Sequence, residues 1–450
     1  MNRRSTQRRS PQHKQAGISG KPRALRIESI AAGGAGLARD DGRAVFVPRT
    51  APGDLAEVTL ESRGGALHGK LLRVVEPGPG RVEPICPFAE ACGGCDLMHL
   101  TGRAQHEAHL EIVTSAFRHA GAAALPEIVT RHVYETPSGE ADPSQLAPSG
   151  YRTRARFFAR VERGKPLVGY RAGGSHSIAA IDRCAVLVPA LDALLRELPE
   201  LLRGATGDGE ISVSLSETRP VVDIAWRGGL PAEVWSRLDQ KTKAGVWAGA
   251  RVWLDGATTP ASFGDPRPVL AGADGRPLVI AAGGFAQPSE KAAIVLARHV
   301  ANLVQKSGDS LSSIVELFAG SGTLSILLAP LAKRFVAVES VEPAVVCARK
   351  NLEARGLAGK VVLADASEHD PGHADVVVLD PPRTGARAAA QKIAASSTKA
   401  VVYVGCDPTT AARDAATLVA AGFTITDVEI VEIFPQTSHI ETLIRLARRR

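Results

Sequence analysis

One cysteine, Cys406, stands where a thiol can act as a nucleophile. It follows the apolar run 400–404, which predicts a buried parallel strand, and it precedes Pro408, a residue typical of a first helical turn. Catalytic groups of α/β sheets gather at the carboxyl ends of strands, and a helix N-terminus favours a thiolate. The alternative is a small buried hydrophobe, which is what most free cysteines are. Position alone leaves both interpretations open.

Four other cysteines have the spacing of a metal site. Cys86, Cys92 and Cys95 form a C-x5-C-x2-C set, and Cys184 lies far downstream. Four soft thiolates suit tetrahedral zinc or a 4Fe–4S cluster, and the two glycines before Cys95 allow a tight backbone curl. Zinc ribbons usually pair two C-x2-C limbs, so this spacing favours iron–sulfur. Unligated buried cysteines remain the alternative. The fourth thiol predicts a closed, structural cluster.

A strand, a glycine loop and a helix follow one another near residue 320. The apolar run 312–317 leads into Gly320, Gly322 and Thr323. Glycines let the backbone approach a ligand closely, and Thr323 can cap the following helix. A second apolar run ends in Glu339, where nucleotide-binding folds place an acid that binds ribose hydroxyls. The pattern predicts a site for a nucleotide-like cofactor.

Two cofactors can be compared at this loop. NAD prefers G-x-G-x-x-G, and Ser325 occupies the place of the third glycine. S-adenosylmethionine has no pyrophosphate and needs less of the helix N-terminus, so it fits better. Asp365 ends a third apolar run, where it would reach an adenine. A purely structural strand–turn–helix is the remaining interpretation.

A fourth apolar run ends in Asp380-Pro381-Pro382-Arg383. Amino-methylating enzymes carry a similar acid-Pro-Pro, but they follow it with an aromatic that stacks on the base. Arg383 in that place argues against amino methylation. A simple turn at the end of a strand is the alternative interpretation.

The elements that must position these groups fall into three regions. Residues 24–76 alternate short strands with glycine turns, which predicts a small β-barrel. Residues 77–284 hold the cysteines, helical stretches at 97–120 and 189–203, a loop at 136–150, and β-like runs. In that region, residues 151–154 are either an RNA contact or a solvated strand. From 285 to 450, strands alternate with helices, which predicts a doubly wound parallel sheet.

Composition and charge limit the function classes. The chain has 450 residues, 44% hydrophobic and 22% charged, enough for two or three domains. It has no apolar run long enough to span a membrane and no secretory signal pattern. The net charge is +7 with a pI near 9.2. Residues 1–23 carry seven Lys/Arg and no acid, which predicts a disordered tail attracted to phosphate backbones, a solvated tail, or a mitochondrial-type presequence.

Taken in order, these motifs resemble those of the class I S-adenosylmethionine-dependent RNA (uracil-5-)-methyltransferases. The shared features are the cofactor loop, the Asp380 motif, Cys-x-Pro at Cys406, and His-x-Glu at His439 and Glu441. The resemblance covers about residues 24–450. The barrel, which resembles an OB-like TRAM domain, and the cysteine set place the chain nearest the 23S rRNA branch.

The resemblance implies a fold and a set of roles. The expected fold is α/β: a Rossmann-like methyltransferase domain with an N-terminal OB-like barrel and an α+β middle region holding the cluster. Cys406 would be the nucleophile and Glu441 the base, while Asp380 would hold the uracil and the cofactor side. The cofactor-contacting positions would be Gln287, Phe318, Gly320, Gly322, Thr323, Glu339 and Asp365.

Two residues depart from the family pattern. Ser289 replaces an Asn, and Asp407 stands in Gly-Cys-Asp-Pro where Ser-Cys-Asn-Pro is usual. The first change puts a polar contact to cofactor or RNA in doubt, and the second affects how the loop holds the uracil.

The predicted function is therefore methylation of a uridine at carbon 5, with 23S rRNA favoured as substrate. The expected protein is a cytoplasmic monomer that does not bind membranes. A tRNA substrate is one alternative, and a non-catalytic RNA-binding iron–sulfur protein is another.

Overall fold

The computed structural model describes residues 21–121, 125–134, 148–308 and 310–448. The chain forms two compact units, Met1–Arg81 and Val82–Arg450, and each is described separately below. The predicted basic tail lies outside the described residues up to position 20, and most of the predicted loop 136–150 lies outside them as well. Among the described residues, no helix is long and apolar enough to cross a membrane.

The first unit contains a closed barrel of five strands, as the sequence predicts. The strands pair in the order β1-β2-β3-β5-β4 around a small apolar core that includes Ile27, Val45 and Val58. Alternate residues point inward, which is the pattern of a strand with one buried face. The strands are β1 (Arg23–Ile30), β2 (Gly36–Asp40), β3 (Arg43–Val47), β4 (Leu55–Arg63) and β5 (Ala66–Glu76).

The second unit contains a sheet of seven strands, in the order β13-β12-β11-β10-β7-β8-β9, with two helices packed on it. Its apolar core includes Phe157, Leu195 and Trp226. The elements are β7 (Arg154–Glu162), β8 (Lys165–Arg171), β9 (Ile178–Ala180), α2 (Pro189–Leu201), β10 (Asp208–Ser216), β11 (Arg219–Arg227), α3 (Ala232–Lys243), β12 (Gly249–Leu254) and β13 (Ala261–Gly264). Helix α2 matches the predicted helix 189–203, whereas α3 was not predicted.

The second unit also contains an eight-stranded sheet, in the order β18-β17-β16-β19-β20-β22-β21-β6. Strands β16 to β20 are parallel, as predicted, and β22 is antiparallel to both of its neighbours. The strands are β6 (Ile128–His132), β16 (Leu311–Leu317), β17 (Ala332–Glu339), β18 (Lys360–Leu363), β19 (Val376–Leu379), β20 (Ala400–Gly405), β21 (Phe423–Glu432) and β22 (Glu441–Arg448). A two-stranded hairpin, β14 (Val269–Ala271) and β15 (Pro277–Val279), precedes most of them.

Helices pack against this sheet in two groups, as expected for a doubly wound fold. Helices α4, α5 and α6 contact one another in sequence, while α8 contacts both α1 and α7. The helices are α1 (Gly102–His119), α4 (Glu290–Gln305), α5 (Ser325–Leu328), α6 (Glu342–Glu353), α7 (Arg387–Ala395) and α8 (Pro408–Ala420), and a short 3₁₀ turn spans Ala329–Leu331. The helix predicted at 97–120 begins later than expected, at Gly102.

Strand β6 comes from the predicted middle region, yet it pairs with β21 at the edge of the eight-stranded sheet. The two regions that the sequence divides at residue 284 therefore share one sheet. The predicted domain boundaries remain predictions.

Candidate active site

Strand register brings the predicted nucleophile and base together. Strands β20 and β22 are antiparallel, and their pairing ends with Gly405 opposite Thr442. One step further along this register, Cys406 leaves β20 beside Glu441, the first residue of β22. Neighbouring cross-strand side chains are about 5 Å apart at their Cβ atoms, so the thiol and the carboxyl share one pocket.

Asp380 lies at the same edge of the sheet. Leu379 ends β19 opposite Tyr403 of β20, and the Asp380 amide donates to the Leu317 carbonyl at the end of β16. The parallel strands thus deliver Asp380 and Cys406 side by side at their carboxyl ends, where open α/β sheets bind ligands.

Burial and like charges dominate the electrostatics of this pocket. Burial raises the pKa of Asp380 to about 7. Burial, together with the charge of Asp380, raises the pKa of Glu441 well above its usual range, and one carboxyl oxygen of Glu441 has no hydrogen-bond partner among the described residues. Burial and the two neighbouring acids raise the pKa of Cys406 to about 12, and Arg383 opposes this rise. The predicted helix N-terminus is present, since α8 begins at Pro408. The pKa of Cys406 is nevertheless raised, because burial and the two acids disfavour the thiolate.

Arg383 also fixes the state of His439. A guanidinium Nη2 of Arg383 lies 2.7 Å from Nε2 of His439. Arginine only donates, so this histidine nitrogen is the acceptor and carries no proton. Burial and the charge of Arg383 lower the pKa of His439 to about 4, in agreement with a neutral ring. The charge of Arg383 also acts on the pocket, where it lowers the pKa values of both Cys406 and Glu441. The arginine itself is exposed.

The loop between β21 and β22 is fixed from outside the methyltransferase-like region. Asp96, next to Cys95, accepts hydrogen bonds from the amide and hydroxyl of Ser438. The side-chain amide of Gln105, on α1, donates to the side-chain oxygen of Gln436 and accepts from the backbone amide of Gln436. Gln436 has a left-handed backbone with φ of 74°. The Tyr151 hydroxyl donates to the Pro435 carbonyl at 3.0 Å. The loop leads directly into Glu441. Its anchors lie on helix α1, on the segment beside Cys95 and just before the seven-stranded sheet, so these three parts of the chain help to position Glu441.

Residues 151–154 are not a solvated strand, and their predicted contact with RNA stays a prediction. Tyr151 is buried against residue 435, and a guanidinium nitrogen of Arg154 donates to the Gly284 carbonyl. The backbone amide of Thr153 donates to the Pro288 carbonyl at 2.9 Å. The segment connects the middle sheet to the chain that precedes α4.

The predicted cofactor loop lies at the carboxyl ends of β16 and β17. Phe318, Gly320 and Gly322 all have positive φ, which is unusual for Phe318 because its Cβ disfavours that conformation. Glu339 accepts hydrogen bonds from the Gly320 amide at 2.9 Å and the Val341 amide at 2.8 Å. The carboxylate is therefore held in place by backbone donors. Its Oε1 also accepts from the Ser340 hydroxyl at 3.4 Å, so Oε2, which has one donor, keeps a lone pair for a further donor.

The other predicted cofactor residues differ in environment. Gln287 is buried, and its amide oxygen has no hydrogen-bond partner among the described residues. A buried orphan acceptor is costly unless a ligand supplies a donor. Asp365 is exposed beyond β18, and hydrogen bonds from Ser367 lower its pKa. Thr323 is partly buried and does not cap a helix: Leu324 precedes α5, and that helix has no side-chain cap.

The two departures from the family pattern are both helix caps. The Ser289 hydroxyl accepts from the Ala292 amide at the start of α4 and bonds the Tyr134 hydroxyl at 2.6 Å. The Asp407 carboxylate accepts from the Thr410 amide at the start of α8. Ser and Asp are both favoured at this position, so each substitution retains a local structural role.

Sequence reasoning missed the polar support beneath the cofactor loop. Glu316 is buried in β16, where burial raises its pKa to about 8 and the Ser325 hydroxyl donates to it at 2.6 Å. The Asn351 amide donates to the carbonyls of Val279 and Ser321, which ties α6 to both the hairpin and the loop. The sequence could have indicated Glu316, because a charged residue inside an apolar strand is unusual. The residues around Asn351 give no such indication.

The four predicted metal-site cysteines line one cavity. Cys86, Cys92, Cys95 and Cys184 all face it, with apolar walls that include Phe88. Burial raises the pKa of Cys95 well above its usual range, and the charges of Cys184 and Cys92 raise it further. The Gly94 amide donates to the Cys92 sulfur at 3.4 Å.

The spacing of these sulfurs can be tested against a single zinc ion. A tetrahedral site with Zn–S bonds of about 2.3 Å needs sulfurs about 3.8 Å apart. Of the described residues, only one set of three metal-ligand atoms lies within 4.8 Å of one another, and no cysteine belongs to it. The four sulfurs are therefore not already placed as a zinc tetrahedron. Cys347, by contrast, is buried in α6, in agreement with its predicted place in the core.

Two family models match the region that holds the site. The model described as "Methyltransferase small domain" matches residues 288–405, and the model described as "tRNA (Uracil-5-)-methyltransferase" matches residues 363–449. The second match contains the Asp380 motif, Cys406 and Glu441.

Similar proteins extend over nearly the whole chain. A Pseudomonas putida protein named 23S rRNA (uracil(1939)-C(5))-methyltransferase RlmD is 34% identical over 442 residues, covering 94% of this chain and 93% of that protein. A Gloeobacter violaceus protein named as an uncharacterized RNA methyltransferase is 32% identical, covering 96% of this chain and 97% of that one.

A solved structure shares the fold. The tRNA (uracil-54, C5)-methyltransferase of Pyrococcus abyssi, crystallised with S-adenosyl-L-homocysteine, superposes with a TM-score of 0.67. It is 22% identical, and the match covers 95% of this chain and all of that chain.

Proposed function

The chain belongs to the S-adenosylmethionine-dependent RNA (uracil-5-)-methyltransferases, and from this premise we propose that it methylates carbon 5 of a uridine in 23S rRNA. The choice of rRNA is supported by the relatives that cover nearly the whole chain and carry that substrate in their names. The observation that carries the chemistry is the cross-strand placement of Cys406 beside Glu441.

Cys406 is the proposed nucleophile. Its sulfur adds to carbon 6 of the uracil, which makes carbon 5 an enolate carbon able to attack an electrophile. S-adenosylmethionine supplies the methyl group as its sulfonium. The pKa of about 12 means that the thiol is protonated before substrate binds. Its proton must therefore pass to the ionised carboxylate of Asp380, whose pKa is about 7, or to solvent as the carbon–sulfur bond forms. Arg383 is the protein cation that favours the anion.

Glu441 is the proposed base. Once carbon 5 carries the methyl group, its hydrogen must leave as a proton, and elimination of the Cys406 thiolate then restores the ring double bond. The carboxyl oxygen of Glu441 that no described residue hydrogen-bonds is available for this proton. Its raised pKa makes the ionised carboxylate a stronger base than a solvated one, and Glu441 must be ionised before it can accept this proton. Asp380, on the neighbouring strand, would hold the uracil.

The proposed cofactor site is the edge formed by β16, β17 and β18. Glu339 would accept from ribose hydroxyls, and the orphan amide oxygen of Gln287 would accept from a ligand donor. Phe318, Gly320, Gly322 and Thr323 would form the loop against the ligand, and Asp365 would face the adenine. The target base must leave its stack to enter such a pocket, as in other enzymes that act on bases.

The proposed metal group is a 4Fe–4S cluster held by Cys86, Cys92, Cys95 and Cys184. Support comes from the four thiols around one cavity and from their sequence spacing, which differs from the two C-x2-C limbs of a zinc ribbon. Its proposed role is structural, because four protein thiols leave no iron open to substrate.

A trapping experiment tests the function. RNA containing 5-fluorouridine has no hydrogen at carbon 5 to remove, so the methylated adduct should persist as a protein–RNA band. Cys406→Ala should abolish the band and lower turnover by at least about 10³-fold. Cys347→Ala, in the core, should keep both. Full activity in Cys406→Ala would end the nucleophile proposal.

Mapping of 5-methyluridine tests the substrate. In cells that lack the protein, one 23S rRNA position should lose its methyl group, and the wild-type gene should restore it. Loss confined to tRNA would replace rRNA by tRNA as substrate. No change in either RNA would contradict the proposed function.

A further inference from the structure

A second group of metal-ligating side chains lies away from the cysteines. His106 of α1, His132 at the end of β6 and Glu432 at the end of β21 have ligand atoms that all lie within 4.8 Å of one another. The Nδ1 atoms of His106 and His132 are 3.0 Å and 2.6 Å from the two carboxylate oxygens. A third histidine, His109, has its Nδ1 3.2 Å from the oxygen that faces His106.

The third histidine is held from its other side. Its Nε2 lies 2.9 Å from the Thr437 carbonyl, which only accepts, so this ring nitrogen is the donor.

The chemistry of the ligands favours a metal. Imidazole and carboxylate together suit zinc and similar divalent ions. Two imidazoles and one carboxylate make a set of three protein ligands, which is typical of a zinc site with an open position. His106 and His132 are partly exposed, which leaves a route from solvent.

We propose that His106, His132 and Glu432 bind one divalent transition-metal ion such as Zn²⁺. The ion would join helix α1 and strand β6 to the end of β21. The next residues form the loop that leads to Glu441, so the site would strengthen the support of the catalytic base.

Zinc binding to the full-length, cluster-containing protein tests this proposal. After equilibrium dialysis against Zn²⁺, elemental analysis should find one zinc per chain. Zinc-edge X-ray absorption should show only nitrogen and oxygen neighbours at about 2.0–2.1 Å. The melting temperature should rise with zinc concentration.

The variants are chosen to keep hydrogen bonding while removing ligands. His132→Asn retains a donor near the Nδ1 position, and Glu432→Gln retains the shape; both should lose the zinc and the thermal shift. His119→Asn, an exposed histidine of the same helix as His106, should keep both.

Three results would overturn the proposal: no zinc above background, a sulfur neighbour at about 2.3 Å that places the ion at the cysteines, or unchanged zinc in both variants. If a variant does not fold, the stoichiometry and absorption spectrum of the wild-type protein decide alone.

Discussion

The catalytic pocket and the cysteine cavity are built in opposite ways. The pocket is positioned by strand register: β19 and β20 end at one edge, where β22 begins, and this places Asp380, Cys406 and Glu441 together. The cavity is lined by the irregular segment between β5 and α1, together with a turn before α2. Backbone hydrogen bonds of a sheet can fix side chains without a ligand, whereas a loop wrapped around thiols depends on what the thiols bind. Substitution of a catalytic side chain should therefore leave the fold of the catalytic pocket intact, whereas loss of a bound ligand should destabilise the cysteine cavity.

The sharpest contrast comes from Glu441→Gln. Removal of the base should lower turnover by about 10²- to 10⁴-fold, because the proton at carbon 5 is no longer removed. The sheet should be unaffected, and the methylated adduct with ordinary uridine should accumulate. Denaturing gels and thermal melts measure the two effects, and Glu429→Gln, a buried acid on β21, is the matched control. Normal turnover in Glu441→Gln would exclude the proposed base.

Cys184→Ser should have the reverse effect. Loss of one thiolate should weaken cluster binding about tenfold or more and lower the melting temperature, since the surrounding loop loses its ligand. Iron content and visible absorption after anaerobic purification measure this, with Cys347→Ser as the control outside the cavity. Unchanged iron in Cys184→Ser would remove that residue from the proposed ligands. It would also weaken the argument that the cysteine cavity, unlike the catalytic pocket, depends on what its thiols bind.

The charge of Arg383 should set the reactivity of the thiol. Arg383 lowers the pKa of Cys406, so Arg383→Met should raise that pKa further. Below its pKa, a thiol is alkylated in proportion to its thiolate fraction, so alkylation at pH 9 should slow by roughly threefold to tenfold. Glu441→Gln should accelerate alkylation, since it removes a negative charge. Mass spectrometry of iodoacetamide-treated protein gives the rates, with the exposed Arg387→Met as control; equal rates in all variants would contradict the assigned electrostatics.

The smallest effect is expected where the two regions meet. Asp96→Ala should leave the Ser438 amide without its acceptor and cost about 1–3 kcal/mol of unfolding free energy. Turnover should fall only modestly, because Gln105 and Tyr151 still hold the loop. Chemical denaturation and steady-state kinetics check both. A loss of turnover as large as that of Glu441→Gln would mean that the pocket depends on the cysteine loop, and the contrast would fail.

The sequence was sufficient for the features that arise from local patterns. Apolar runs with acids or a thiol at their ends predicted strands β16 to β20 and their edge residues, because a buried strand needs a continuous run of hydrophobic residues. Helix α3 was missed because only Val234 and Leu238 of its charged sequence are buried.

Other features arise only from contacts between distant residues. The bond between Asp96 and Ser438 joins positions 342 residues apart, and the Glu432 site draws its ligands from three separate elements. The pKa of Cys406 depends on burial and on acids from other strands, so the helix N-terminus was a poor guide to it. Periodicity and spacing along the sequence do not indicate which distant residues lie close together in the fold.

The position of β22 between β20 and β21 has a consequence for synthesis. Glu441 is made 35 residues after Cys406 (441 minus 406), which takes about two to seven seconds at ordinary translation rates. During that interval the thiol has neither its acidic neighbour nor the strand that buries it. The burial and the acidic neighbour that raise the pKa of Cys406 are therefore both complete only when β22, the last strand of the chain, inserts beside β20.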